Sequence, residues 1–226
     1  VERNWSLKDL HRLILKSATY QQASADRVEC RKADPENRYL WRMNRKRLDF
    51  ESLRDGLLAA AGQLDRSLGG PAVELTKTPW SRRRALYGLI DRQNLPSLFR
   101  TFDFASPDTH SPGRFTTTVP QQALYMMNSP FLAEMVRSLA DQQELLGTNE
   151  PRERIDRMYR LGLGRPPGAR EVDLGLAFLA EEDARDKRAP VTGSPPSAAQ
   201  PAAPALSAWE RYVQVVLLSN EFMFID

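Results

Sequence analysis

The sequence predicts a mainly α fold: an irregular helical bundle with a long ordered central loop and one short strand pair. Three observations predict it. Apolar residues recur at three- and four-residue spacing along most of the chain. Prolines stand where a helix would place its first residue, at Pro35, Pro120, Pro130 and Pro151. Only one stretch, Ala85–Ile90, alternates with a period of two.

In order, Ser6 followed by Asp9 reads as a capping box, and Leu7, Leu10, Ile14 and Ala18 fall on one helical stripe, with His11 on the same side. The polar stretch Ser17–Ser24 ends or bends that helix, and the charged run that follows it reads as a surface connection. Asp34-Pro35-Glu36 carries the signals of a helix start, with Leu40, Trp41, Asn44 and Leu48 on the following face. Asp49 caps the next helix, with Phe50, Leu53, Leu57, Ala61 and Leu64 inward, and Gly69-Gly70-Pro71 breaks the chain after it. Ala85–Ile90 is a candidate strand despite Gly88, and a single strand needs a partner. The Ala72–Leu75 segment supplies one.

Leu95-Pro96 opens a short helix bearing Leu98, Phe99 and Phe102. The loop from Asp103 to Val119 follows, longer than loops in compact domains ordinarily run. Its phenylalanines, Phe102, Phe104 and Phe115, predict that it is ordered and packed. Pro120 starts a helix with Ala123, Leu124 and Met127. Asn128-Ser129-Pro130 stops it and starts another, with Phe131, Leu132, Met135, Val136 and Leu139 toward the core. Met126, Met127 and Met135 read as adaptable core filler. From Pro151 a segment with Ile155, Met158 and Tyr159 runs to the LGLGRPP turn, and a further helix carries Val172, Leu176 and Leu179.

Ala189–Pro204 (APVTGSPPSAAQPAAP) is rich in Pro, Ala and Ser and reads as a flexible insertion. The stripe Leu206, Trp209, Val213, Val216 and Leu217 is too apolar to leave in solvent, so the helix over residues 206–220 is expected to dock back on the body. The whole, residues 1–226, is then a single helical domain.

Composition narrows the class. Hydrophobic residues at 41% and charged residues at 27% are those of a globular chain. The net charge of +3 is small for 226 residues, and the acids lie among the arginines, so the basic cluster Arg38–Arg47 reads as a solvated face and no nucleic-acid partner is expected. No apolar run approaches the roughly 20 residues that span a bilayer, so no membrane insertion is expected. Cys30 is the only cysteine, which removes a disulfide framework and thiolate metal sites. The start at Val1-Glu2, without a methionine, suggests a processed or excised piece.

The polar residues that could carry chemistry gather in the central loop: Asp103, Asp108, His110 and Arg114, followed by Thr116, Thr117 and Thr118. Two carboxylates and an imidazole within eight positions could act as acid, base or ligand in a cleft. The same residues could equally make side-chain turns to their own backbone, with Arg114 pairing an acid. Glycine loops for phosphate, dinucleotide fingerprints, H-E-x-x-H and G-x-S-x-G are absent. No C-x-x-C-H exists to attach haem, so no cofactor and no metal are expected.

The run DRQNLPSLFRTFDFASPDTHSPGRFTTTVPQQALYMMNSPF, with the preceding RRRALYGLI, DPENRYLWRMNRKRLDFESLRDGLL, the LGRPP turn and the closing SNEFMFID, resembles the family called domain of unknown function 1553. This is the C-terminal domain that accompanies planctomycete-type cytochrome c domains. The resemblance runs from about Leu7 to the end, with Ala189–Pro204 as a variable insertion. It implies a large exported protein of planctomycetes or related bacteria, hence a periplasmic or secreted location. It also implies neighbouring domains in the same protein, a haem-binding one among them, as partners. It brings no catalytic residues. The expected role is therefore a helical module that binds or positions a partner domain or a glycan through the Asp103–Thr118 loop and the Arg82–Arg84 edge. The alternative is an enzyme domain acting on extracellular polysaccharide through Asp103, Asp108 and His110.

Overall fold

A computed structural model describes residues 5–142, 145, 147–148, 150–188 and 205–225. The chain forms two compact units, one of Val1–Arg47 with Phe224–Asp226 and one of Leu48–Met223. The mainly α expectation holds, and the Pro/Ala/Ser-rich insertion over 189–204 lies outside the described residues.

In the smaller unit, helix α1 (Leu7–Leu15) is capped by Ser6, whose side chain accepts from the Asp9 N–H. None of its residues is buried. The charged run expected to be a connection contains a second helix, α2 (Val28–Ala33). The helix expected from Asp34-Pro35 is not there. The Asp34 carboxylate accepts from the Tyr39 N–H at 2.8 Å, and the Asn37 side chain donates to the Arg42 carbonyl at 2.8 Å. Asn37 and Leu40 adopt left-handed φ of 55° and 53°, which no right-handed helix can contain. The same Asp and Pro that start helices also start turns, and here the side-chain turn wins. The one strand pair among the described residues is also here: β1 (Lys46–Arg47) runs antiparallel to β2 (Phe224–Ile225).

In the larger unit, α3 (Phe50–Ala60) starts at Asp49, whose carboxylate accepts from the Ser52 N–H at 2.8 Å, and buries Phe50, Leu53, Leu57 and Leu58. It stops before Leu64 because Gly62 turns left-handed, at φ 67°. The expected strand at Ala85–Ile90 is instead a single 3₁₀ turn, Ala85–Tyr87. Its partner was placed correctly: Val73 accepts from the Leu89 N–H at 2.8 Å and donates to the Tyr87 carbonyl at 2.9 Å, a lone parallel bridge. Gly88 sits where a Cβ would lie 2.3 Å from Leu75 Cδ1, so this crossing requires glycine.

Helices α4 (Ser97–Thr101), α5 (Pro120–Asn128) and α6 (Pro130–Ala140) follow as expected, the last capped by Ser129. α6 buries Phe131, Leu132, Met135, Val136 and Leu139, the face its spacing predicts. α5 turns a different face inward: Gln122 and Met126 are buried, while Leu124 and Met127 are exposed. Nine residues give a stripe of only two or three positions, and the buried Gln122 decides it. Then come α7 (Pro151–Leu163), α8 (Ala169–Arg188), α9 (Ala208–Leu217) and the short α10 (Asn220–Met223). α9 docks on α6 and α8, as its apolar stripe requires, with Val213, Val216 and Leu217 buried.

Candidate functional site

The central loop is fixed at its start by aromatic packing. Phe99 lies 5.3 Å from Phe50 and 5.1 Å from Phe104, both edge-on, and Phe102 lies 5.5 Å from Phe50 and 5.7 Å from Tyr125. Such edge-to-face pairs add to the burial term. Phe102 is buried and Phe104 half-buried against the core. The third expected anchor does not bury: Phe115 is 85% exposed. It lies where the loop has left the aromatic cluster, among residues with no core beneath them.

Polar pins replace that third anchor. Asp103 adopts φ 59°, a left-handed conformation that Asp tolerates better than most residues. Its carboxylate accepts from the Thr117 N–H at 2.8 Å and the Thr117 hydroxyl at 2.7 Å, closing the loop across 14 residues. Gln122, which sequence reasoning missed, completes the base. It accepts from the Val119 N–H at 3.3 Å, donates to the Thr101 carbonyl at 2.8 Å and reaches Asp103 at 3.4 Å. The signal available was a glutamine three residues after the helix-entry position, the reciprocal half of a capping box.

Arg114 is bidentate to Glu51, at 2.8 and 2.7 Å, and its guanidinium lies 4.6 Å over the Phe104 ring. Asp49 stands 3.9 Å away. The hydrogen bonds that Arg114 donates to Glu51 raise its pKa above the usual value. Asp108 turns instead to Arg92, at 3.5 Å, and its N–H reaches Ser106 Oγ. His110 is exposed.

Two clefts meet at Phe104 and Arg114. One, of about 550 Å³, is formed by the loop itself: Asp103, Thr109, His110, Ser111 and Phe115 line it, and Asp108 does not. The structure thus brings Asp103, His110 and Arg114 to one cleft and leaves Asp108 outside it. The second, of about 310 Å³, runs between the loop and the start of α3, lined by Asp49, Glu51, Asp55 and Arg84. Burial raises the Asp55 carboxyl above its ordinary range, against the Ala85 N–H and Arg54, which lower it. Arg84 is the residue of the Arg82–Arg84 edge that lines this cleft. Arg83 is engaged with the Gly69 and Pro71 carbonyls and lies 4.2 Å over Tyr87.

Among the described residues no three of His, Cys, Asp and Glu are grouped to hold a metal ion. In the basic cluster, Arg47 is buried and Arg42 stacks 5.1 Å over Trp41. No described helix is long and apolar enough to cross a membrane.

A family model described as PSD1, protein of unknown function (DUF1553), matches residues 1–179. The chain belongs to this family. The PSD1 match contains both clefts and the whole central loop, and ends within α8, short of the C-terminal helices. No curated protein and no solved structure matches the chain.

Proposed function

We propose that this PSD1 domain is a non-catalytic binding module of an exported multidomain protein, and that its central loop recognises a polysaccharide. The observation that carries the reading is Phe115. An 85%-exposed aromatic ring stands on the wall of an open cleft whose mostly apolar lining is set with a few polar groups, on a loop whose two ends are pinned. An exposed aromatic face suits the C–H face of a sugar ring. Hydroxyl, imidazole and carboxylate groups around it (Thr109, Ser111, His110, Asp103) suit the hydroxyls. The pins at Asp103–Thr117 and Arg114–Glu51 hold the surface before a ligand arrives, which lowers the ordering cost of binding.

Acid–base hydrolysis would need two carboxyls facing one cleft. In the loop cleft Asp103 is engaged with Thr117 and Asp108 is turned to Arg92, so the geometry of that cleft favours recognition over reaction. Neighbouring domains of the same protein would then supply any chemistry, in the cell-envelope setting that the resemblance implies.

The test is calorimetry of the chain against soluble neutral, acidic and amino-sugar polysaccharides. At least one class is expected to bind, and Phe115→Ala is expected to weaken it about tenfold, or 1.4 kcal/mol, with an unchanged melting temperature. Binding that survives Phe115→Ala and His110→Ala intact would remove the loop from the interface. Silence from every polymer class would end the glycan reading.

A further inference from the structure

A third cleft lies apart from the loop, framed by α7, α8 and α9, with a volume of about 490 Å³. Its walls are apolar: Leu163, Leu174, Phe178, Val215 and Val216. That size and lining are those of small-molecule pockets. Three aromatic rings, Tyr159, Phe178 and Tyr212, face it, with the Phe178 and Tyr212 centroids 5.9 Å apart. α8 approaches these rings closely because of Gly175, where a Cβ would meet the Tyr212 hydroxyl at 2.7 Å and Ile155 Cδ1 at 2.9 Å.

Every charged residue lining this cleft is acidic: Glu171, Glu181 and Glu221. Arg165, outside the lining, bridges Glu171 and Glu221 at 2.7 and 2.5 Å, one positive charge against two negative ones. Glu181 is exposed and adds a third. Burial raises the Tyr212 and Tyr159 phenols above their usual range and the Glu171 charge adds to the rise in both, so both present neutral rings in a negative field. The face of one ring already carries a cation, with the Arg165 guanidinium 5.3 Å from the Tyr159 centroid.

We propose that this cleft binds an organic cation with an apolar body, an alkyl- or arylammonium. Aromatic faces attract ammonium groups, most strongly where water is excluded, and the acidic lining supplies the complementary charge. The apolar walls take the body. A bare inorganic cation does not fit, because hard cations require a shell of oxygen ligands that these walls lack. An anion meets three carboxylates. Two apolar residues at the mouth, Leu174 and Val215, stay 60% and 52% exposed, and a bound apolar body would cover them.

The probe is benzyltrimethylammonium, titrated calorimetrically into the chain beside benzyl alcohol as the uncharged arm. Saturable binding of the ammonium with at least tenfold weaker binding of the alcohol is expected. Glu181→Gln, at an exposed position, should weaken the ammonium about three- to fivefold. Leu174→Lys, which sets a like charge at the mouth, should abolish it, with melting temperatures unchanged in both. The proposal falls if alcohol and ammonium bind alike, if neither saturates, or if both variants bind as the parent does. Phe115→Ala should leave this titration unaltered, so the result stands apart from that of the loop.

Discussion

Arg54 is 2% exposed, and its guanidinium donates to the Arg83 carbonyl at 3.0 Å and to the Ser81 carbonyl. Asp55 lies 3.6 Å away and the Phe131 ring 5.4 Å away. Burial lowers the Arg54 pKa, with Asp55 acting against it, yet a guanidinium stays charged in any protein. Arg54→Met would keep the apolar stem, strand two carbonyls and take from Asp55 an ion-pair partner while the Ala85 N–H still bonds to it, at a cost of about 3 kcal/mol in urea denaturation. Arg54→Lys should recover only part of it, because one ammonium cannot fork to both carbonyls. Asp103 allows a second separation. Replacing it with Ala removes the acceptors of Thr117 and leaves a left-handed backbone, whereas Gly removes the acceptors and relieves the backbone by about 1 kcal/mol. Both variants should speed hydrogen exchange across residues 104–118 by tenfold or more, with Gly the more stable of the two. Protection retained in either one would show that the loop is held by something other than the carboxylate.

Elements whose start signal is local were legible: Ser6, Asp49 and Ser129 cap the helices their sequence assigns them, because a cap bonds to an N–H three residues on. Asp34 failed the same test because its side chain serves Tyr39 five residues away. The site was half-legible for a related reason. Asp103, His110 and Arg114 stand out in the loop, but Glu51 is 63 residues from Arg114, a pairing no spacing rule encodes. The turn between α7 and α8 makes another such long-range join. Gly164 ends α7 with a left-handed φ of 72°, and Arg165 then clamps Glu171 and Glu221, with Glu171 also accepting from the Gly168 N–H at 2.6 Å. Hydrogen bonds from Arg165 lower the Glu171 pKa from 4.5 to about 2. A depressed carboxyl pKa stabilises the fold fully above the unfolded value, and the contribution disappears as pH falls from about 4.5 to 2. Arg165→Gln should therefore unfold at higher pH in an acid titration followed by circular dichroism. The difference from the parent should close below about pH 2. A pH-independent difference would assign the loss to packing.

The two units differ in what holds them. Among the described residues, all the buried apolar ones lie in the larger unit, from Phe50 to Leu217. In the smaller, the buried described residues are Ser24, Asp34, Asn37 and Arg47, all polar. Hydrophobic burial supplies most folding free energy, at about 25 cal/mol per Å² of apolar surface, and here the smaller unit has little of it. Its order rests on hydrogen bonds: the Trp41 indole to the Asp34 carbonyl at 2.9 Å, Asn37 to Asn44 at 3.0 Å, and a strand pair two residues long. Each contributes about 1 kcal/mol net. Local stability follows buried apolar contact, so native-state hydrogen exchange should resolve two levels of opening. Amides of α2 and of the Asp34–Trp41 turns should exchange through an opening at least about 2 kcal/mol below that of Leu57, Leu132 and Val213. Low urea should release the first set while the second stays protected. Equal protection of both sets across the urea series would mean that the chain opens as one cooperative body, and that the polar network is worth far more than its individual bonds.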